Sequence, residues 1–167
     1  MGTGYGTAAV AIAMMLAAVA PDGQEGRVSR PPSLGVQANI VFLYYKDVPG
    51  AQRFYEDIIG LKVQTRTQIE GVNEVVLAAD EGGGRLQLAQ HLDETGPIDH
   101  GNALWKVYMI VDDCIGVHQR AVEAGFESTV EPQELERWSV TIAFILDPDG
   151  YSIELMQRDG EDPPGAT

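Results

Sequence analysis

The body of this sequence is written twice, and that repetition limits its fold more than any other feature. Gln37 to Tyr45 (QANIVFLYY) is β-branched and aromatic and predicts a strand. Asp47 follows as a helix N-cap, Pro49 sits in the first turn, and Val48, Ala51, Phe54, Tyr55, Ile58 and Ile59 fall at helical spacing up to Gly60. Three strand-like runs come next: Leu61 to Ile69, Val72 to Ala79 and Arg85 to His91. The order then recurs. Leu104 to Val111 predicts a strand, Asp112 or Asp113 caps a helix ending at Gly125, and Phe126 to Val130, Trp138 to Leu146 and Tyr151 to Gln157 predict three more strands. Asp47 to Gly60 and Asp112 to Gly125 are each thirteen residues apart. Repetition on this scale implies a βαβββ unit in duplicate, spanning 37–91 and 104–158.

Two segments carry more than periodicity. FYEDIIGLKV (Phe54 to Val63) and WSVTIAFILDPDGYSIEL (Trp138 to Leu155), in the order βαβββ–βαβββ, resemble the vicinal oxygen chelate superfamily of glyoxalase-like lyases, bleomycin-binding resistance proteins and extradiol dioxygenases. The resemblance covers about three quarters of the chain. It implies an α+β domain over 37–158, in which two tandem units form a curled mixed sheet around a cleft. It also implies a homodimer. It does not imply a reaction, because one fold hosts many chemistries.

Metal-using members of that superfamily draw His or Gln, Glu, His and Glu from the first and last strands of each unit. By resemblance those positions fall at Ile40, Gln87, Lys106 and Glu154. Ile40 has no donor atom, and Lys106 carries donors that repel a cation. The expectation is therefore no cofactor. The alternative is a rearranged site for Zn, Ni, Fe or Mn on Gln87 and Glu154, with His91, four residues beyond Gln87 on the same strand face, as a further candidate ligand. His100 falls in the loop between units. His118 falls on the second helix, where a solvent-facing position is expected.

Alternation along the strands extends the candidate cleft. Phe42, Tyr44, Arg85, Gln87, Lys106, Tyr108 and Glu154 share the predicted inner face. A tight Asp-Pro-Asp-Gly hairpin would pair Glu154 with about Ala143, which adds Thr141 to that face and sends Ile142 and Phe144 to the helices. Lys106 and Glu154 are the candidate catalytic pair: a cation to orient a ligand, and a carboxylate to serve as base or acceptor. Cys114, the single cysteine, excludes an intrachain disulfide and is expected to be structural.

Charge narrows the partners. Eleven bases against twenty-five acids give −14. Residues 1–36 cancel and the tail 158–167 contributes −2, so the body holds −12. A nucleic-acid partner would need clustered Lys and Arg and is excluded. The expected partner is a small molecule, and a cationic one would be concentrated by the overall field. Ala8 to Ala20 is too short an apolar run to span a bilayer stably. Residues 1–20 read either as a signal peptide, implying export, or as an N-terminal apolar helix of a cytoplasmic protein. Residues 21–36 read as a flexible linker and 159–167 as a disordered acidic tail. Three functions stand open: metal-free small-molecule binding, a metal-dependent lyase, isomerase or dioxygenase, and a non-catalytic interaction module.

Overall fold

A computed structural model describes residues 40–80, 84–94 and 96–160. The apolar run, the linker and the tail beyond residue 160 lie outside the described residues. Within them the chain is α+β, with two four-stranded mixed sheets. The first unit contains β1 (Ile40–Tyr44), α1 (Val48–Arg53), a π-type turn (Phe54–Ile59), β2 (Lys62–Ile69), β3 (Val72–Ala78) and β4 (Arg85–His91). The second contains β5 (Val107–Ile110), α2 (Cys114–Glu123), β6 (Ser128–Leu135), a 3₁₀ turn (Glu136–Trp138), β7 (Val140–Leu146) and β8 (Ser152–Arg158). Each sheet has the same order, β1-β4-β3-β2 and β5-β8-β7-β6, with the first and last strands parallel. The duplication holds element by element. The starts of β1 and α1 and of β2 are at 40, 48 and 62; α2 and β6 start at 114 and 128, each 66 residues after its counterpart.

Asp113, rather than Asp112, caps α2, accepting a hydrogen bond from Gly116 N–H at 2.8 Å. Gly60 and Gly125 end the two helices at φ 94° and 89°, values that favour glycine. The first helix changes winding halfway. Gly60 N–H and Leu61 N–H both bond to the Tyr55 carbonyl, so the chain widens to π spacing over Phe54–Ile59.

One core joins the helix-facing sides of both units. Leu43, Phe54, Leu77 and Leu88 of the first pack in the same cluster as Val117, Ala121, Ile145 and Ile153 of the second. Phe54 and Phe126 meet edge to face at 4.7 Å between ring centroids. His118 is part of this interior. It is buried, with Nε2 2.8 Å from Ser128 Oγ, which corrects the solvent-facing expectation. It lies four residues after Cys114 and three before Ala121, the helical spacing that puts it on the buried face of α2.

Candidate functional site

Each sheet gathers its candidate residues on one face. In the first, Ile40 pairs with Arg85, Phe42 with Gln87 and Tyr44 with Ala89. In the second, Tyr108 pairs with Glu154 and Ile110 with Met156. Side chains of paired residues share a face, so both sheets present the expected set except at one position.

That position is Thr141. The hairpin between β7 and β8 closes at Leu146 and Ser152, leaving five residues, Asp147 to Tyr151, in the turn. Glu154 therefore pairs with Phe144, and Thr141 pairs with Gln157 on the opposite face. Thr141 is buried there, with Oγ1 donating to Asp159 at 3.1 Å. A tight turn would have shifted the register by one residue, and a shift of one exchanges every side chain between faces. Phe144 and Ile142, expected against the helices, instead stand beside Glu154.

Lys106 and Glu154 meet as an ion pair, Nζ to Oε2. Glu154 is 2% exposed, in a sheet whose neighbouring Phe144 and Met156 are also buried. Lys106 sits just before β5, and its ammonium is ringed by aromatic faces. The ring centroids of Trp105, Tyr108 and Phe144 lie 4.4, 5.5 and 5.6 Å from Nζ. The Tyr108 hydroxyl is directed at Met156 Sδ. Its pKa is raised by burial and by the nearby Glu154 carboxylate, so it remains a neutral donor at physiological pH.

The first-unit residues make a more open surface. Phe42 is 54% exposed, Arg85 is exposed and Gln87 is half-buried. Arg85 and Tyr108 both line a groove of about 310 Å³, together with Val41 of β1 and Val107 to Ile110 of β5. Tyr44 stacks on His91 at 5.7 Å and lines a separate pocket with Glu94, Asp99 and Tyr151. Among the described residues, no hydrogen bond or ion pair joins Gln87 or His91 to Glu154. Sequence reasoning missed Trp105 and Phe144. Trp105 precedes β5, so alternation does not fix its side, and Phe144 was displaced by the register error.

The superfamily's metal requires oxygen and imidazole donors converging on one point. Here the four positions offer an alkyl group, an amide, an ammonium and a carboxylate already paired with that ammonium. Among the described residues, no group of three or more His, Cys, Asp or Glu side chains is placed to hold a metal ion. The donor set does not fit the family's metal.

A second site of buried polarity binds the units together. Asp147, 4% exposed, accepts hydrogen bonds from Tyr45 Oη and Tyr55 Oη of the first unit and from its own turn at Tyr151 N and Asp149 N. Tyr151 Oη returns the link by donating to the Tyr44 carbonyl at 2.7 Å. Burial raises the Asp147 pKa above the ordinary carboxylate value, against the opposing effect of these bonds. The Asp147 carboxylate makes its hydrogen bonds within the protein.

Known proteins resemble this chain in both sequence and fold. A lactoylglutathione lyase of Neisseria meningitidis serogroup B is 30% identical over 112 residues, covering 65% of this chain and 81% of its own. A glyoxalase family protein of Bacillus cereus superposes with a TM-score of 0.67 at 23% identity, covering 79% of this chain and 99% of its own. Glyoxalase I of Zea mays gives 0.64 at 22% identity over 72% of this chain, which spans 44% of that longer protein. Residues 37–155 match the family profile, and the chain belongs to the Glyoxalase/Bleomycin resistance protein/Dioxygenase superfamily.

Proposed function

We propose that this protein binds a small organic molecule at the sheet face carrying Lys106 and Glu154, without the divalent metal of the superfamily's usual site. The Lys106–Glu154 ion pair carries the reading. A tethered ammonium neutralises the one carboxylate that a metal would need. Glu154 is the acceptor at the floor of the site, and Lys106 is the group a ligand must engage or displace. Phe42, Tyr44, Arg85, Gln87 and Tyr108 supply aromatic and polar surface for the rest of the molecule. Metal analysis of the purified protein, with melting curves in Ni²⁺, Zn²⁺, Mn²⁺ and Fe²⁺, tests this. No bound metal and no metal-dependent shift are expected. A stoichiometric metal, or a shift that Glu154→Ala abolishes, overturns it.

A metal-dependent lyase is the second reading. It is favoured by relatives that carry the name lactoylglutathione lyase at about 30% identity. Lactoylglutathione lyase activity that appears only with added metal, and is lost in Gln87→Ala and Glu154→Ala, would establish it.

The proposed assembly is a homodimer. Ile40, Val41 and Phe42 on β1 and Ile110 on β5 are each about half exposed or more, and both strands have one unpaired edge. Sedimentation equilibrium of the wild type against Phe42→Glu and Ile110→Glu tests it, with dissociation of the variants expected.

A further inference from the structure

The surroundings of Lys106 suit a cation better than they suit a lysine in particular. Three aromatic rings from three places in the chain, Trp105 before β5, Tyr108 within it and Phe144 on β7, lie within 4.4 to 5.6 Å of one ammonium. The face of an aromatic ring attracts a cation through its quadrupole, and several rings around one charge form the usual recognition site for alkylammonium groups. Beneath them lies Glu154, a carboxylate 2% exposed whose neutralising partner is that same ammonium. The mouth is open on the other side, where Trp105 is 58% and Tyr108 41% exposed. Among the described residues, the Lys106 ammonium has no hydrogen-bond or ion-pair partner besides Glu154.

We propose that this aromatic cage is a receptor for the ammonium group of a small organic cation, with Lys106 as a tethered occupant that vacates it when the ligand enters. The proposal rests on the reading of this face as a metal-free small-molecule site, and it names the ligand class. The chain's charge of −14 agrees with it, because the long-range field concentrates cations near the molecule. No bond is made or broken. One ammonium exchanges for another, and the Lys106 side chain moves out to solvent.

Choline is the test probe, with dimethylbutanol, in which carbon replaces the charged nitrogen, as the neutral control of the same shape. Binding is read by thermal shift and by tryptophan fluorescence, since Trp105 is one of only two tryptophans in the chain. Choline is expected to bind the wild type saturably. It should bind Lys106→Ala at least about tenfold more tightly, because the internal competitor is gone. Trp105→Ala, a change at an exposed position, should abolish the binding. If Lys106→Ala does not fold, the wild-type and Trp105→Ala comparison decides alone. Absence of saturable choline binding to the wild type overturns the proposal, as does binding that survives Trp105→Ala. Equal binding of choline and dimethylbutanol would also overturn it, while leaving the small-molecule reading intact. Only metal uptake would overturn that reading.

Discussion

The hydroxyl of Tyr45 donates to the carboxylate of Asp147 at 2.5 Å, across 102 residues of sequence and from one βαβββ unit to the other. Tyr55 approaches the same oxygen at 3.0 Å. The contact is buried, so its strength depends on the charge of Asp147, and that charge depends on pH.

Burial holds the Asp147 pKa above that of the unfolded chain. The folded state therefore keeps its proton over a window that opens near about pH 4, where the unfolded chain releases it. The contribution of this group to stability is full below that window and declines as pH rises through the folded pKa. Urea denaturation at stepped pH should show this decline in the wild type and a flatter profile in Asp147→Asn. Identical pH profiles would show that Asp147 titrates as it does in the unfolded chain.

Removing one partner of a buried ion pair strands the other. Lys106→Met leaves the Glu154 carboxylate buried without its cation and is expected to cost about 3–5 kcal/mol. Replacing both, in Lys106→Met with Glu154→Leu, should restore stability to within about 1–2 kcal/mol of the wild type. The double-mutant cycle in urea measures the coupling. A single-variant loss below about 1 kcal/mol would mean that solvent screens the pair.

Thr141 belongs to the helix side of its sheet. Thr141→Val removes the bond to Asp159 and should cost about 1 kcal/mol. Adding Asp159→Ala to Thr141→Val should then change little, because the interaction is already lost. Additive losses would place the effect elsewhere than in this bond.

Cys114 is fully buried, and burial together with the adjacent Asp113 pushes its thiol pKa up to about 11. Almost none of it is thiolate at pH 8. Iodoacetamide should leave the folded protein unmodified and label it at the rate at which it unfolds. Rapid labelling under native conditions would contradict this placement.

The fold was legible because duplication supplies two independent readings of one pattern. The glycine stops at Gly60 and Gly125 and the boundaries of β4 follow from the sequence, while β6 runs five residues beyond its expected end at Val130. The site was legible in part. Lys106 and Glu154 could be paired because the resemblance put both among the superfamily's four metal positions. Parity across a hairpin depends on the residue count in its turn, so Thr141 and Phe144 were assigned to the wrong faces. The polar role of Asp147 was invisible for another reason. In Asp-Pro-Asp-Gly it reads as a turn residue, and its tyrosine partners come from a unit about ninety to a hundred residues away.

The five-residue turn from Asp147 to Tyr151 thus acts as a length gauge. Delete one residue and the hairpin could still close, but β8 would present Ile153 and Leu155 where Glu154 and Met156 now stand. An acidic floor would become a greasy one without a single substitution on the strand. The turn resists such drift because both its ends are tied to the end of β1, Asp147 through Tyr45 just beyond the strand and Tyr151 through the Tyr44 carbonyl. An insertion or deletion here would have to break the seam between the halves before it could rewrite the binding surface.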